Sequence, residues 1–332
     1  MPLKLAIIGT GPVARDNYVP FLALQPGVEL AYFNRTPAAA TALARQHGGI
    51  VLPDLAAVAA WAPTAAFVLT NERVRTEVGT ALIEAGVPRL FFEKPLMAAA
   101  GQANVSEQDF VAAKAMLDLA RRRGCETAIV FNYRFFAHTV GAKAVIAERA
   151  FGPVLNVTGF VHYACWSHCI DLIRHFCGNL AEITALGGPV SRRSEEIKTD
   201  AADVAAAFVT EAGAAGTLLG TAGADWEHPL YELILNFAEA RLHLRDLDGS
   251  LEIYDRRSGA REVRALPAGR TRWDQYRDSF EHSAAAYLAA LRAGAPPPIP
   301  AIAGLYELQA EAGLKRSIAQ RRPVRLAAEF PV

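Results

Sequence analysis

The sequence LKLAIIGTGPVA, residues 3–14, joins a short apolar run directly to a glycine-rich turn. The run predicts a buried strand, and the residues behind the turn have a helical pattern. Gly9 permits the tight turn, Gly11 lets the backbone approach a pyrophosphate, and the small Ala14 lets strand and helix pack closely, so that the helix N-terminus can bind phosphates. We predict a dinucleotide-binding turn, with a glycine turn that binds no ligand as the alternative. We assign the following residues to the cofactor: Gly9, Thr10, Gly11, Pro12 and Val13.

Composition limits the class of protein. The chain has 332 residues, of which 52% are hydrophobic and 20% charged, so it is long enough for two domains with apolar cores. Its 34 basic residues balance 34 acidic ones, so we expect a small-molecule partner rather than nucleic acid or a membrane. The sequence has no run of about 18 apolar residues, and Met1 leads directly into the first strand. We therefore expect a cytoplasmic protein. Since the four cysteines contain no C-x-x-C pair, we expect reduced thiols.

Strands and helices alternate along the first 131 residues. Apolar runs predict strands at Val28–Phe33, Ile50–Leu52, Ala65–Leu69, Leu90–Phe92 and Thr127–Phe131. The alternation predicts a doubly wound parallel sheet, in which the carboxyl ends of the strands form one ligand crevice. We therefore assign to the cofactor the residues that follow these strands, namely Asn34, Arg35, Thr36, Thr70, Asn71, Glu93 and Lys94.

The residues after the second strand indicate which cofactor is preferred. A fold specific for NAD usually has Asp or Glu at this position, where the carboxylate binds the ribose hydroxyls. This chain has Asn34, Arg35 and Thr36 instead, and an arginine beside a small hydroxyl favours a 2′-phosphate. We expect NADP(H) to be favoured over NAD(H), although a neighbouring arginine is compatible with either cofactor.

The pattern changes after about residue 153. Alternating apolar stretches predict a largely antiparallel sheet, with strands at Val154–Val161, Val204–Val209, Thr217–Thr221, Leu230–Phe237, Leu242–Leu244 and Leu251–Tyr254. Helical patterns cover about Ser167–Cys177, Asp274–Ala293 and Ile302–Gln320. The predicted fold class is α/β, with a parallel sheet in the N-terminal part and a mostly antiparallel sheet behind it.

Five motifs resemble those of one protein family. They are Gly9-Thr10-Gly11-Pro12, Glu93-Lys94-Pro95, Asn132-Tyr133-Arg134-Phe135, Phe151-Gly152-Pro153-Val154 and Ser167-His168-Cys169-Ile170-Asp171-Leu172. Over nearly the whole chain, their order and spacing are similar to the glucose-fructose oxidoreductase, inositol dehydrogenase and rhizopine catabolism (Gfo/Idh/MocA) family. The resemblance implies a Rossmann domain over residues 1–131 and an α/β domain with an open, mostly antiparallel sheet, for substrate binding and oligomerisation, over residues 132–332. It also implies NAD(P)-linked oxidation or reduction, mostly of sugars and cyclitols, in a homo-oligomer that is a dimer or tetramer.

Two of the matched residues suit hydride transfer. Transfer to a carbonyl leaves negative charge on oxygen, so a site needs a cation and an acid, and the reverse reaction needs a base. The resemblance implies that Lys94 orients cofactor and substrate beside the nicotinamide, and that His168 exchanges the proton. If the resemblance is set aside, Lys94 is interpreted as a surface lysine after a strand and His168 as a structural histidine.

Ala164 departs from the family's pattern. Many dehydrogenases of the family have Asp four residues before the histidine, one helical turn away. Either Lys94 and His168 suffice, or His162 or Tyr163 supplies the missing polar group, or the reaction is not the oxidation of a sugar alcohol. We assign Tyr163 as a third catalytic candidate, because a phenol beside a lysine can donate a proton.

The candidates for substrate binding are Arg134, Trp166 and Asp171. Asp171 matches an acidic residue of the family and can bind substrate hydroxyls, although Arg174 at i+3 is an equally good partner for it. The ring of Trp166 can stack on a sugar, and the same is true of Trp226, Trp273 and Tyr276, although most such rings are expected in a core or an interface.

The cysteines and histidines of residues 162–177 suggest a different hypothesis, a zinc site. Thiolate and imidazole are zinc ligands, and the crowded residues of this kind are His162, Cys165, His168, Cys169, His175 and Cys177. Their spacing matches no structural zinc motif, so we expect no metal and buried free cysteines. The leading hypothesis is an NAD(P)-dependent oxidoreductase acting on CH–OH or C=O groups. Its alternatives are a dinucleotide-binding regulator without activity and a reductase of an imine or a conjugated ring.

Overall fold

The chain forms two compact units that are interleaved in sequence. The computed structural model describes residues 2–194, 197–224, 228–247 and 249–332. The first unit comprises Met1–Ala99, Gln108–Phe131 and Phe280–Leu305, and the second comprises Ala100–Glu107, Asn132–Ser279 and Tyr306–Val332. The segment Phe280–Leu305 thus returns to the first unit after the long segment Asn132–Ser279 of the second.

The first unit is built on a parallel sheet. Its strands are β1 (Leu3–Ile8), β2 (Val28–Phe33), β3 (Ile50–Val51), β4 (Ala65–Val68), β5 (Arg89–Phe92) and β6 (Glu126–Ile129). A π-helical turn at Ala14–Tyr18 leads into α1 (Val19–Ala23), and the other helices are α2 (Pro37–His47), α3 (Leu55–Ala60), α4 (Arg75–Glu84) and α5 (Glu107–Arg123). In the described part of the chain, the sheet has six parallel strands in the order β3-β2-β1-β4-β5-β6. The predicted doubly wound sheet is confirmed.

The apolar runs of β1 and β4 explain their central position. Leu5 to Ile8 and Ala65 to Val68 are fully buried, as is typical of strands covered on both faces. Pairing continues past the strand ends, because the amide of Gly9 donates to the carbonyl of Phe33 at 2.9 Å and that of Leu69 donates to Ile8 at 2.8 Å. The loops after β1, β2 and β4 therefore begin at the same edge of the sheet.

The second unit is built on a mixed sheet. Its strands are β7 (Val154–His162), β8 (Leu180–Ser194), β9 (Thr199–Thr210), β10 (Ala215–Thr221), β11 (Tyr231–Phe237), β12 (Ala240–Arg245), β13 (Ser250–Asp255), β14 (Ala260–Arg264) and β15 (Val324–Arg325). Within the described ranges, nine strands follow the order β14-β13-β12-β11-β7-β10-β9-β8-β15, and β7 with β10 is the one parallel pair. The later helices of the chain are α6 (Ala137–Arg149), α7 (Trp166–Cys177), α8 (Arg272–Ala293), α9 (Ile302–Gln320) and α10 (Leu326–Glu329). The predicted, mostly antiparallel sheet is confirmed.

Among the described elements of the second unit that are absent from the sequence prediction are β8, β14 and α6. The 15-residue β8 has a register shift between Gly187 and Ser191, and most residues of its C-terminal half are exposed. It therefore lacks a sustained alternation of apolar and polar residues. Strand β14 has no buried residue, and α6 buries only His138, Thr139, Ala142 and Val145. Periodicity detects an element by its apolar face, and these elements have little of one.

Helix α7 packs closely on the sheet of the second unit. A Cβ on Gly159 of β7 would lie 3.4 Å from the sulfur of Cys169 and 2.9 Å from a side-chain carbon of Leu218. The helix buries Ile170 and Ile173 on this side. This packing fixes α7, which carries several predicted site residues.

None of the helices in the described ranges has the length and apolar character that a membrane crossing requires.

Aromatic rings form the core of the first unit. Tyr18, Phe67, Phe91, Phe280 and Tyr287 are all buried, and their ring centroids lie 4.6–6.1 Å apart, mostly edge to face. Such pairs add to the stabilisation that comes from burial of the rings. Phe280 and Tyr287 belong to α8, so this cluster binds the returning segment into the unit.

We expect Phe67→Ala to lower the free energy of unfolding by about 3–5 kcal/mol, because it removes a fully buried ring from this cluster. Urea denaturation followed by circular dichroism measures the change. Val111→Ala, at a valine that is 54% exposed on α5, is the control and should cost less than about 0.5 kcal/mol. A loss below about 1 kcal/mol for Phe67→Ala would contradict the assignment of this core.

Candidate functional site

The turn after β1 brings the backbone against the end of β4. Gly9 has φ +92°, and a Cβ there would lie 2.9 Å from both the carbonyl carbon of Leu69 and the amide nitrogen of Thr70. Glycine is required at this position by both conformation and space. A Cβ on Gly11 would meet no heavy atom of the described chain within 4 Å beyond its own neighbours. Gly11 therefore leaves open space in which phosphate groups can approach the backbone.

Two threonine hydroxyls beside this turn suit a phosphate-bearing ligand. Thr10 is buried, and neither its Oγ1 nor the buried Oγ1 of Thr70 has a hydrogen-bond partner among the described residues. A buried polar group without a partner costs about 1–3 kcal/mol, and a phosphate or ribose oxygen would accept the missing bond. Pro12 and Val13 are exposed on the same turn. The residues present thus fit a dinucleotide.

Asn34 links the glycine turn to the loop after β2. Its Oδ1 accepts a hydrogen bond from the amide of Thr10 at 3.3 Å, and its Nδ2 donates to the carbonyl of Thr36 at 3.0 Å. Arg35 and Thr36 are exposed, and α2 begins directly behind them with Pro37 at its first position. A helix N-terminus and an exposed guanidinium both attract anions, so this loop is chemically suited to a phosphate.

A buried arginine joins the loops after β4 and β5. Arg75 is the first residue of α4 and is 3% exposed. Its Nη2 donates to the carbonyl of Thr70 at 2.6 Å, and its Nη1 donates to the carbonyl of Pro95. Nearby, Oδ1 of Asn71 accepts a hydrogen bond from the amide of Arg73 at 3.0 Å. Sequence reasoning missed Arg75; the available signal was a cation in the first turn of a helix, where the helix dipole disfavours it.

Glu93 fixes the backbone of Lys94. Its carboxylate is buried and accepts hydrogen bonds from the hydroxyl of Tyr18 at 2.7 Å and from the amide of Lys94 at 3.0 Å. Burial raises the pKa of Glu93, and the guanidinium of Arg75 is the strongest influence that opposes this rise. Lys94 is partly exposed, and its peptide bond to Pro95 is cis. Contacts at the carboxyl ends of the strands thus join the loops that contain Gly9, Asn34, Thr70 and Pro95.

In the second unit, His168 lies against an aromatic ring. The imidazole is buried, and its plane stacks on the ring of Tyr133 with centroids 3.8 Å and planes 7° apart. The hydroxyl of Tyr133 lies 3.0 Å from the sulfur of Cys165, and burial raises the Tyr133 pKa well above its ordinary value. This stack fixes the orientation of the His168 ring, and the motif Asn132–Phe135 was the sequence signal for it.

Tyr163 and His162, the polar neighbours of Ala164, form hydrogen bonds with other groups of the second unit. The Tyr163 hydroxyl donates to the carbonyl of Ala202 at 2.6 Å, and burial raises its pKa. The Nδ1 of His162 accepts a hydrogen bond from the amide of Ala164 at 3.1 Å, and its Nε2 lies 3.3 Å from the hydroxyl of Ser194. Both side chains therefore hold the turn that leads into α7.

Arg134 and Asp171 are partners of each other. Their side chains form a bidentate ion pair with distances of 2.7 and 2.6 Å, and the Asp171 side chain is 1% exposed. Nη1 of Arg174, the alternative partner at i+3, lies at 3.9 Å. A buried carboxylate thus orients the Arg134 guanidinium.

Trp166 lies inside the second unit. Its ring meets that of Tyr163 edge to face at 5.3 Å, and a Cβ on Gly220 of β10 would lie only 2.4 Å from it. Trp273 is 46% exposed and meets Tyr276 edge to face. Trp226 lies outside the described residues.

The cysteines and histidines near α7 behave as core groups. All four cysteines of the chain are buried and free, and burial raises the pKa of Cys177 to about 12 and that of Cys169 further. Burial lowers the pKa of His175 to about 3. In the described ranges, no three histidine, cysteine or acidic side chains form a group that could hold a metal ion.

Comparisons with known proteins agree with this architecture. Residues 3–131 match the family model GFO_IDH_MocA, described as an oxidoreductase family with an NAD-binding Rossmann fold. No curated protein sequence matches the chain significantly.

Solved structures share the fold over almost their whole length. An oxidoreductase from Agrobacterium radiobacter in complex with NAD+, L-tartaric acid and magnesium is 18% identical, with a TM-score of 0.81 over 99% of both chains. Levoglucosan dehydrogenase with NADH and levoglucosan is 17% identical, with a TM-score of 0.82 over 98% of this chain and 100% of the other. UDP-N-acetylglucosamine 3-dehydrogenase from Acidithiobacillus ferrooxidans is 16% identical, with a TM-score of 0.75 over 96% of this chain and 99% of the other.

The family model covers the unit in which the glycine turn, the strand order and the Glu93-Lys94-Pro95 loop were found. These features are the ones expected from the sequence motifs. Residues 3–131 are thus similar to the Gfo/Idh/MocA family of oxidoreductases, whose model describes an NAD-binding Rossmann fold.

Proposed function

We propose that the protein is an NADP(H)-dependent oxidoreductase that transfers hydride to or from a carbon of a sugar, a cyclitol or a related ketone. The observation that carries the proposal is the glycine turn at the point where the strand order reverses, between β1 and β4, with the Thr10 and Thr70 hydroxyls beside it. A bound nicotinamide supplies or accepts the hydride. The residues proposed to bind the dinucleotide are Gly9, Thr10, Gly11, Pro12, Val13, Asn34, Arg35, Thr36, Thr70, Asn71, Glu93 and Lys94.

The preference for NADP(H) rests on the loop after β2. Arg35 and Thr36 are exposed there, and residues 34–36 contain no carboxylate that would repel a 2′-phosphate. The side-chain amide of Asn34 already forms hydrogen bonds with the amide of Thr10 and the carbonyl of Thr36. Arg35 is therefore the residue proposed to pair with the phosphate.

Lys94, His168 and Tyr163 are the proposed catalytic residues. The Lys94 ammonium would stabilise charge on the substrate oxygen, and the His168 imidazole would exchange the proton. Tyr163 would need to release its hydrogen bond to Ala202 before it could donate a proton, so it is the weaker of the two proton donors. Arg134, Asp171 and Trp166 are proposed for substrate binding, with Arg134 as the group that bonds hydroxyls and Asp171 as its support.

The proposed substrates are small polyhydroxylated molecules. Proteins of the same fold bind L-tartaric acid or levoglucosan, or are named as dehydrogenases of UDP-N-acetylglucosamine. With myo-inositol, these compounds form the first panel for assays with NADP+ and NAD+. The alternative is a dinucleotide-binding regulator, which Ala164 favours because it stands where many dehydrogenases of the family have an acid.

Location and assembly complete the proposal. Four buried, free thiols are compatible with a reducing compartment, so we propose a cytoplasmic protein. The outer face of the second unit's sheet exposes Leu186, Val209 and Leu219, which are 73%, 42% and 41% exposed. A second copy of the chain is the proposed cover for this apolar face, in a dimer or a tetramer.

Calorimetric titration with NADPH and with NADH tests the proposal most directly. We expect both to bind and NADPH to bind more tightly. Binding of neither would make the glycine turn a structural feature and remove the basis for an oxidoreductase.

We expect Gly11→Ala to raise the Kd for NADPH at least tenfold, about 1.4 kcal/mol, because its methyl group would occupy the space left for phosphate. The melting temperature should hardly change, since that methyl group meets no atom of the protein. Gly9→Ala is the contrast, because its Cβ would collide with the end of β4 and lower stability as well. An unchanged Kd for Gly11→Ala would contradict the proposed phosphate site.

We expect Arg35→Ala to weaken NADPH binding by about 10–100-fold, as estimated for the loss of a charge-assisted bond to phosphate. NADH binding should change little, because NADH has no 2′-phosphate. Arg45→Ala, in the last turn of α2, is the control for the loss of one positive charge. An equal effect of Arg35→Ala on both cofactors would refute the phosphate role.

We expect Lys94→Met to lower kcat about 10²–10³-fold on whichever panel substrate turns over, because the transition state loses its cation. Lys114→Met, at a lysine that pairs with Asp118 on the surface of α5, should leave kcat unchanged. Steady-state kinetics measures both variants. Full activity of Lys94→Met would exclude the proposed role of this lysine.

A further inference from the structure

Arg75 occupies a position that a cation does not favour on its own. It is the first residue of α4, where the helix dipole repels positive charge. Its side chain is also 3% exposed, so its guanidinium has lost most of its hydration. The free-energy cost of burying this guanidinium must be offset by hydrogen-bond acceptors and negative charge around it.

The compensating groups surround Lys94. One arm of the Arg75 guanidinium donates to the carbonyl of Thr70, at the end of the β4 loop, and the other donates to the carbonyl of Pro95, directly after Lys94. On the other side, the Glu93 carboxylate accepts the amide of Lys94 at 3.0 Å and the hydroxyl of Tyr18 at 2.7 Å. The backbone of Lys94 is thus held before and after the residue, while Lys94 remains partly exposed.

We propose that Arg75 is a positioning residue, which anchors the Lys94 loop to the end of β4 and so sets the direction of the Lys94 ammonium. The inference rests on the proposed function, because it assigns Arg75 to the same reaction. The planar guanidinium reaches two carbonyls at once, whereas a lysine at this position would offer one point of charge.

Arg75 also favours the ionised form of Glu93. The groups that face Glu93 are Tyr18, Arg75 and Lys94, and Arg75 is itself also near Glu72. Burial raises the pKa of Glu93, and Arg75 opposes this most strongly. Without the guanidinium, the pKa of Glu93 rises further, so the ionised form that accepts the Lys94 amide is present only at higher pH.

Two variants test the role. Arg75→Lys keeps the charge but offers one point of charge to the two carbonyls, and Arg75→Met keeps an unbranched stem but removes the charge. Arg121→Met, at a side chain that is 80% exposed on α5, is the matched control. Each variant is assayed in the full-length protein for NADPH binding, for kcat and KM on the best panel substrate, and for melting temperature.

We expect Arg75→Lys to lower kcat at least tenfold and to raise the Kd for NADPH by a smaller factor, because the glycine turn and Arg35 still bind the dinucleotide. Arg75→Met should also move the acid limb of the kcat profile to higher pH, because the pKa of Glu93 loses its strongest opposing charge. A residue that only stabilises the fold would lower the melting temperature and leave kcat and the pH profile at those of Arg121→Met. That outcome would overturn the proposal.

Hydrogen–deuterium exchange of the peptide 90–98 gives a readout that needs no substrate. We expect its exchange in Arg75→Lys to be at least tenfold faster than in the wild type, while peptides from β1 and β6 keep their rates. Equal acceleration everywhere, or none in residues 90–98, would overturn the proposal. Failure of the proposed function is distinct from both results, since it appears as loss of NADPH binding in the wild-type protein.

Discussion

The close approach of Gly9 to the end of β4 is the contact on which the ligand edge of the first unit depends. A Cβ would stand 2.9 Å from backbone atoms of Leu69 and Thr70, so any other residue would push the turn away from the neighbouring strand. Because β1 and β4 run parallel in register, this contact brings the loops after both strands to one place. The Thr10 and Thr70 hydroxyls come to lie beside the turn as a consequence, and Asn34 adds the loop after β2 through its bond to Thr10. The crevice follows from the strand order and from the glycine at position 9.

Apolar packing and buried polar contacts have different tasks in this unit. The rings around Phe67 supply stability, because their burial removes apolar surface from water. The hydrogen bonds of Glu93 to Tyr18 and Lys94, and those of Arg75 to Thr70 and Pro95, supply geometry. Burial of two charged groups is costly, and such bonds repay that cost with little surplus. Tyr18 takes part in both, with its ring in the aromatic cluster and its hydroxyl on Glu93. The core therefore fixes one end of the polar contacts that hold the Lys94 loop.

The sequence predicts the first unit in more detail than the second, for a physical reason. Parallel strands are buried on both faces and read as apolar runs, so β2 begins and ends where its run does. The residues after these strands could be assigned to one crevice because parallel topology requires it. Arg75 was not predictable in this way, since its bonds to Thr70 and Pro95 join backbone carbonyls that no periodicity marks. Strand β8 and the return of Phe280–Leu305 to the first unit also depend on tertiary packing, which overrides local pattern.

The second unit bears on which group exchanges the proton in the proposed reaction. Ala164 supplies no acid, and its neighbours His162 and Tyr163 are bonded to backbone atoms and to Ser194. To act on a substrate, Tyr163 would have to break its 2.6 Å hydrogen bond to the carbonyl of Ala202. Deprotonation in the reverse direction is harder still, because burial raises the Tyr163 pKa. The imidazole of His168 is held in plane by Tyr133, and an imidazole can both donate and accept a proton. We therefore assign the proton to His168 ahead of Tyr163, and regard Tyr163 as the residue that secures the turn into α7.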